Sequence, residues 1–230
     1  MREEHGLVWA WRESTEPTAE LPWFSTLGAD TSVVTVSDVY PCHFTRYMEN
    51  TLDVHHFAFV HHRILPFVGS RVEMTNVETN GDLIQATGRL SAGPEERLRH
   101  TSSFSIEALF PGLIRLDTLG LELLVAVCPI DEESTWVAAR YYRPRLGSRL
   151  LARVASWLAV QVDYQTAQRQ DKRILRSIRP LVGSPHANIA VGADKAISLW
   201  YARLSQSDRA RSYPSEPVSR PRVQPWPRQE

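Results

Sequence analysis

Short apolar runs broken by turn residues dominate residues 70–144, and they read as successive β-strands. RVEMTNVET and DLIQATGRL flank Asn80-Gly81, a hairpin signal because both residues tolerate positive φ. Further strands are expected in RLRHTSSFSIEAL, LIRLDTLGLELLVAVCP and STWVAARYYRP, which predicts an antiparallel sheet. Ahead of them, GLVWAW and the β-branched SVVTVSDVY also read as strands, with ESTEPTAELPW as a loop. FTRYMENTLDVHHFAFVHH, between Pro41 and Pro66, is compatible with a helix.

The clearest helix is expected over residues 148–177. Steps of four and three align Leu150, Val154, Trp157, Gln161, Tyr164, Gln168, Asp171, Leu175 and Ile178 on one face. The ends of that face are apolar, whereas its middle carries amides, a phenol and a carboxylate. A second helix is expected in ADKAISLWYARL. The closing RARSYPSEPVSRPRVQPWPRQE, rich in Pro and Arg, predicts a disordered tail.

Composition narrows the function classes. The 230 residues suit one large domain with appendages, and 43% hydrophobic content is ample for a core. Lys+Arg and Asp+Glu both number 26, which argues against nucleic-acid binding, since that rests on clustered positive charge. Two cysteines, Cys42 and Cys128, are too few for a disulfide scaffold and suit a reducing cytoplasm. MREEHGLVWAW lacks the pattern of a secretory signal, and the longest apolar candidate, LLARVASWLAV, is interrupted by Arg153. A soluble, cytoplasmic protein without a membrane span is therefore expected.

The candidate chemistry lies in NTLDVHHFAFVHH, residues 50–62, which holds four of the eight histidines. On a helix, Asp53 and His56 share a face at i, i+3. His56 and His61, five apart, diverge by about 140° on a regular helix, so joint binding of one ion requires the helix to end or bulge between them. Asp171 sits on the inward seam of the long helix, where a carboxylate is costly unless paired or bound to a cation. An ion pair with Arg169, Lys172 or Arg173, or a helix rotated toward water, is the structural alternative. Two histidines and a carboxylate otherwise make up a 2-His-1-carboxylate set, which suits Fe(II) and O2 chemistry.

ENTLDVHHFAFVHH resembles the iron-binding segment of Rieske non-haem iron oxygenases, particularly the branch containing vanillate demethylase and pheophorbide a oxygenase. QRQDKRILRSIRP resembles the family's later carboxylate segment, GADKAISLWYARL its closing helix, and HGLVWAW the last strand leaving the Rieske domain. The resemblance implies an α+β helix-grip fold of the START/Bet v 1 type, an antiparallel sheet packed on a long C-terminal helix. It implies mononuclear Fe(II) on His56, His61 and Asp171, with Asp53 as the acid bridging the iron to a Rieske cluster of a neighbouring subunit. His55 and His62 have no role on this alignment and are expected beside the site or at the surface.

The same resemblance divides the chain into residues 1–30, an exit strand and linker, residues 31–206, the iron-binding catalytic domain, and residues 207–230, the tail. It implies O2 and an apolar or aromatic substrate, hydroxylated or O-demethylated, with Phe104, Phe110 and Leu123 expected toward the cavity. Family trimers imply a homotrimer, and electrons would arrive through a Rieske [2Fe-2S] protein or ferredoxin and a reductase. One departure matters: a Rieske centre needs Cys-x-His and Cys-x-x-His, and neither Cys42 nor Cys128 has a histidine at those offsets. The [2Fe-2S] cluster is thus expected on another domain or partner chain, reflecting a truncated gene, a split enzyme or a decayed form. The competing reading is a non-catalytic helix-grip protein that binds a hydrophobic ligand. A zinc hydrolase is a weaker alternative, because no glutamate sits beside the histidines as a general base.

Overall fold

Two edge strands that pair with different neighbours set the path of the chain. The computed structural model describes residues 1–10, 20–24, 27, 31–61, 71–92, 99–118, 121–144, 154, 157–158, 160–161, 163–186 and 191–210. A short hairpin of β1 (Arg2–Glu4) and β2 (Leu7–Trp9) comes first. The main sheet then comprises β3 (Thr31–Tyr40), β4 (Arg71–Asn80), β5 (Leu83–Ala92), β6 (Arg99–Leu109), β7 (Leu113–Thr118), β8 (Leu121–Pro129) and β9 (Thr135–Pro144). Its seven strands are antiparallel in the order β3-β9-β8-β7-β6-β5-β4.

β4 to β9 form a meander, and β3 closes it by pairing along its length with β9, from Thr31 opposite Pro144 to Tyr40 opposite Thr135. Because β3 and β4 occupy opposite edges, the connection between them has to traverse the sheet. It contains α1 (Phe44–Leu52) and α2 (His56–Val60). After β9 come α3 (Ala167–Ser177), a 3-10 turn at Gly192–Asp194 and α4 (Lys195–Ala210). The architecture is the α+β helix-grip arrangement: helices gathered on one face of a large antiparallel sheet.

That inner face supplies Ile84, Ala86, Phe104, Ile106, Ile114 and Val125, which pack with Met48 and Leu52 of α1, Leu175 of α3 and Trp200 of α4. Met48 and Ile114 are completely buried, and each such side chain contributes about 1.5–3 kcal/mol. The period of two sends Leu113 and Leu124 to the other face, where they meet Tyr142 and Phe24, with Leu7, Trp9 and Trp23 packed against them. Apolar side chains thus pack on both faces, with Arg115 held between Glu107 and Glu122 among them. Residues 113–129, expected as a single strand, form two strands, with Thr118 paired to Leu121.

Other expectations are corrected in detail. The hairpin loop is Gly81-Asp82, one residue later than Asn80-Gly81, since Asn80 still pairs with Leu83 and Gly81 takes φ of +60°. The helix expected over 148–177 is interrupted at Thr166, whose N–H donates to Asp163 O at 3.3 Å in a tighter turn, before α3 resumes. The turn changes the phase, so Val154 and Trp157 face solvent at 47% and 54% exposure, while Val160 is buried. Leu150 lies outside the described residues. The last helix continues to Ala210, into the segment expected as tail, because no proline intervenes before Pro214. Residues 211–230 lie outside the described residues. No helix among those described is long and apolar enough to cross a membrane.

A buried polar clasp joins α1 to the segment after α3 and to α4. Arg46 donates from Nη1 to Glu49 Oε2 at 2.6 Å and from Nη2 to Pro180 O at 2.8 Å, and the Tyr201 hydroxyl donates to Glu49 Oε1 at 2.5 Å. Both charged side chains are nearly inaccessible, at 3% and 10%. Arg46→Ala should therefore destabilise the fold by about 3–5 kcal/mol, because it leaves the Glu49 carboxylate buried without its counter-charge. Urea unfolding of wild type and variant measures the loss, and an effect below about 1 kcal/mol would mean the pair behaves as a solvated one.

Candidate metal centre

The chain cannot continue helically from α1 into α2, and one residue is responsible. Asp53 adopts φ −81° and ψ 90°, donates its N–H to Glu49 O at 2.9 Å and accepts the His55 N–H on Oδ1 at 2.9 Å. Its carboxylate therefore fixes the turn between the two helices, so Asp53 and His56 do not share a face of one helix as the i, i+3 spacing suggested. Val54, 1% exposed, anchors this turn in the core.

α2 is correspondingly short. It ends at His61, which has φ −99° and ψ 5° and closes the helix by donating its N–H to Phe57 O at 3.2 Å. Ending the helix between the two histidines meets the requirement set by their five-residue spacing. The His56 and His61 rings lie with centroids 5.2 Å apart at 74°. His56 Nδ1–H donates to the carbonyl of Asp53, which leaves Nε2 as the lone-pair nitrogen. His61 Nδ1 lies 2.9 Å from Gln170 Oε1.

α3 brings the third group. With Ala167 and Leu175 buried, its inner face directs Asp171 toward the histidines. Asp171 Oδ1 is 3.8 Å from His56 Nε2 and 3.3 Å from His61 Nε2, and the three side chains are 16%, 9% and 1% exposed. Their candidate ligand atoms all lie within 4.8 Å of one another. Yet Oδ1 is a buried carboxylate oxygen without a hydrogen-bond partner. Two imidazole nitrogens and an orphaned anionic oxygen around one point fit a divalent cation.

Electrostatics separates the two imidazoles. Burial lowers the pKa of His56 below its ordinary 6.5, outweighing the attraction of Asp171. Burial also opposes charge on His61, but the Asp171 carboxylate and the Gln170 carbonyl outweigh it and raise that pKa above 6.5. Tyr40 and Tyr47 stand nearby, and burial, aided by the charge of Asp171, drives their phenol pKa values up, so both stay protonated.

The ion pairs envisaged for Asp171 do not form. Lys172 turns instead to Asp38, which also accepts the Tyr164 hydroxyl at 2.6 Å, while Arg169 and Arg173 are exposed. A surface cleft of about 210 Å³ is lined by Asp38, Tyr164, Gln168, Arg169 and Lys172 and includes none of His56, His61 and Asp171. Beneath it, Tyr40 donates to Gln168 Oε1 at 3.0 Å, and Gln168 Nε2 donates to the Tyr141 hydroxyl at 2.7 Å and to Asp163 Oδ2 at 3.0 Å.

Of the residues singled out from sequence, His56, His61 and Asp171 come together, and Asp53 joins them through its main-chain carbonyl. His55 is half-buried at the start of α2 and is not in the group; His62 lies outside the described residues. Phe104 is a core residue, 4% exposed, and Phe110 packs near Trp200, with ring centroids 6.4 Å apart. Leu123 packs at the edge of the buried clusters. Gln170 escaped notice because it lies one position before Asp171, off the seam that periodicity selects.

No protein-family model matches the chain, and no curated protein does. Solved structures do. NdmA from Pseudomonas putida CBB5, a QL mutant with theobromine, is similar at 21% identity and a TM-score of 0.61, over 83% of this chain and 55% of that one. Dicamba monooxygenase bound to 3,6-dichlorosalicylic acid gives 15% identity and 0.62, over 83% and 64%. The quaternary ammonium Rieske monooxygenase CntA gives 10% and 0.56, over 77% and 50%. The chain thus has the helix-grip fold of these oxygenases and spans between half and two thirds of their lengths.

Protonation and metal uptake must compete at His61. Affinity for Co(II) should fall as the pH is lowered toward and through the raised His61 pKa, beginning above pH 6.5. In the metal-free protein the sign reverses: the stabilising His61–Asp171 charge pair is fully present below about pH 6.5 and is lost as the pH rises through the raised value. Co(II) titrations across this range provide the check, and a pH-independent affinity would exclude these imidazoles as ligands.

Proposed function

We propose that this chain is the catalytic domain of a Rieske-type mononuclear non-haem iron oxygenase, with His56, His61 and Asp171 as the iron ligands. The observation that carries this reading is the unpartnered Asp171 Oδ1 aimed at two imidazole nitrogens in a nearly closed site. Iron(II) bound there supplies O2 activation beside the substrate. The protein's part is to hold His56, His61 and Asp171 together and to keep bulk water away through the burial of His56, His61 and Tyr47.

The substrate class is an apolar or aromatic small molecule, hydroxylated or O-demethylated. Caffeine and theobromine on NdmA, and dicamba on dicamba monooxygenase, support an aromatic ligand for this fold. Placement in the branch of vanillate demethylase and pheophorbide a oxygenase rests on the sequence segments alone. Electrons come from a Rieske [2Fe-2S] centre held by residues other than these, fed by a ferredoxin and reductase, and a cytoplasmic homotrimer is the matching assembly. Asp53 is the entry point for those electrons: its carbonyl is hydrogen-bonded directly to His56, and its carboxylate fixes the turn that holds that carbonyl in place.

Anaerobic loading with Fe(II) tests the proposal. Purified protein should retain close to one iron per chain after desalting, measured by elemental analysis, whereas His56→Ala and Asp171→Ala should each lose it while keeping the wild-type circular dichroism spectrum. A wild-type chain that takes up no iron but binds apolar fluorophores would instead establish the non-catalytic ligand-binding reading.

A further inference from the structure

The two histidines are held by different means. His56 Nδ1–H is tied to a main-chain carbonyl, which no side-chain substitution removes. His61 Nδ1 is met by a side-chain oxygen, Gln170 Oε1 at 2.9 Å, from the residue adjacent to Asp171 on α3. We infer that Gln170 is a positioning residue of the metal centre: it fixes the tautomer and ring orientation of His61, so that α3 supplies both the carboxylate ligand and the alignment of a histidine on α2.

An oxygen facing Nδ1 requires the proton on Nδ1, which leaves the Nε2 lone pair pointing to the side of the ring where Asp171 Oδ1 lies 3.3 Å away. Rotating the amide would present an N–H to Nδ1 and force the proton onto Nε2, in the position a metal must occupy. Gln170 Oε1 thus selects the metal-competent form. Being a neutral amide, it does so without a second negative charge, so the centre consists of two neutral imidazoles and one carboxylate. Gln170 is itself held in α3, its N–H donating to Thr166 O at 3.1 Å. Any displacement of α3 therefore moves Asp171 and disturbs His61 together.

This inference rests on the iron reading for its consequence but not for its geometry, and the experiment separates the two. Wild type, Gln170→Leu and Gln170→Glu are loaded with Co(II). Loss of an outer hydrogen bond to a ligating histidine typically weakens metal binding roughly 10–100-fold, and that loss is expected for Gln170→Leu, with the melting temperature of the metal-free protein unchanged. In the proton spectrum of the Co(II) protein, wild type should give a far-shifted, exchangeable ring N–H signal for each histidine; Gln170→Leu should lose the one from His61. Gln170→Glu, which keeps the acceptor, should restore both affinity and signal.

Wild-type affinity together with both signals in Gln170→Leu would overturn the assignment. If that variant does not fold, Gln170→Glu decides: affinity at or above wild type supports the role, and binding weakened by tenfold or more refutes it. If the wild type takes up no Co(II), the iron reading fails. Long-range ¹⁵N–¹H correlations of the metal-free protein, recorded at a pH where His61 is neutral, then decide the present inference: the single ring proton on Nδ1 supports it, and the single ring proton on Nε2 overturns it.

Discussion

Withdrawing the Asp171 carboxylate from water beside two imidazoles is the constraint on which the helical layer depends. Removing such an ion from water costs several kcal/mol, and Oδ1 recovers none of this through a hydrogen bond. A protonated His61 at 3.3 Å would return about 5 kcal/mol at an effective dielectric of about 20. That attraction is of the same order as the penalty, so the metal-free arrangement is close to balance. A dication doubles the charge and turns the imidazoles from competitors for protons into neutral donors. The same three side chains then lie around a centre that favours all of them.

Bringing those groups together governs how the chain is divided. Residues from α2 and α3 meet although His61 and Gln170 are 109 positions apart. β3 and β9 are antiparallel neighbours, so the chain leaves them at opposite ends of the sheet, and α3 lies back beside the end of β3, where Tyr40 donates to Gln168 Oε1 at 3.0 Å. α1 and α2 then run on from Tyr40 over the inner face, and α3 comes back onto it. Asp53 ends one helix and fixes the turn before the next, and His61 ends that one, so both interruptions adjoin the imidazoles. Regular helix through residues 44–62 would have separated the imidazoles.

What could be read from sequence follows from how local each signal is. β3, β6 and β9 were legible because their apolar residues and β-branched content fall within single strands. β7 and β8 were not separated, since only Leu119 and Gly120 stand between Thr118 and Leu121 and apolar residues continue on both sides of them. His56, His61 and Asp171 were singled out as a donor set whose assignment came from the resemblance of their segments to an iron-binding family, as did the role of Asp53, and the fold brings the first three together. Gln170 was not, because a glutamine beside the seam has no distinguishing periodicity until tertiary contact gives it His61 as a partner. The turn at Thr166 depends on Asp163, whose carboxylate is engaged by Tyr141 and Gln168 across the sheet–helix interface. Such a break reflects three-dimensional neighbours rather than residue preference.

The protein contains its own comparison for the alternative that Asp171 is an ordinary buried ion-pair partner. Arg46 and Glu49 are also withdrawn from water, and there the structure surrounds charge with donors and acceptors: the guanidinium reaches Glu49 and the Pro180 carbonyl, and Tyr201 donates to the second carboxylate oxygen. Gly183 permits that packing, since a Cβ there would fall 2.2 Å from the Tyr201 hydroxyl. A charge buried for architecture is thus saturated in this fold. Around Asp171 the nearby cations are directed elsewhere, Lys172 to Asp38 and Arg169 and Arg173 to solvent, while two imidazole nitrogens turn inward without completing a hydrogen bond to Oδ1. One buried carboxylate is therefore saturated with donors of fixed charge, whereas the other faces two imidazole nitrogens at 3.3 and 3.8 Å, of which only a protonated ring can act as its counter-charge. A carboxylate beside two such nitrogens fits a ligand set better than an architectural ion pair.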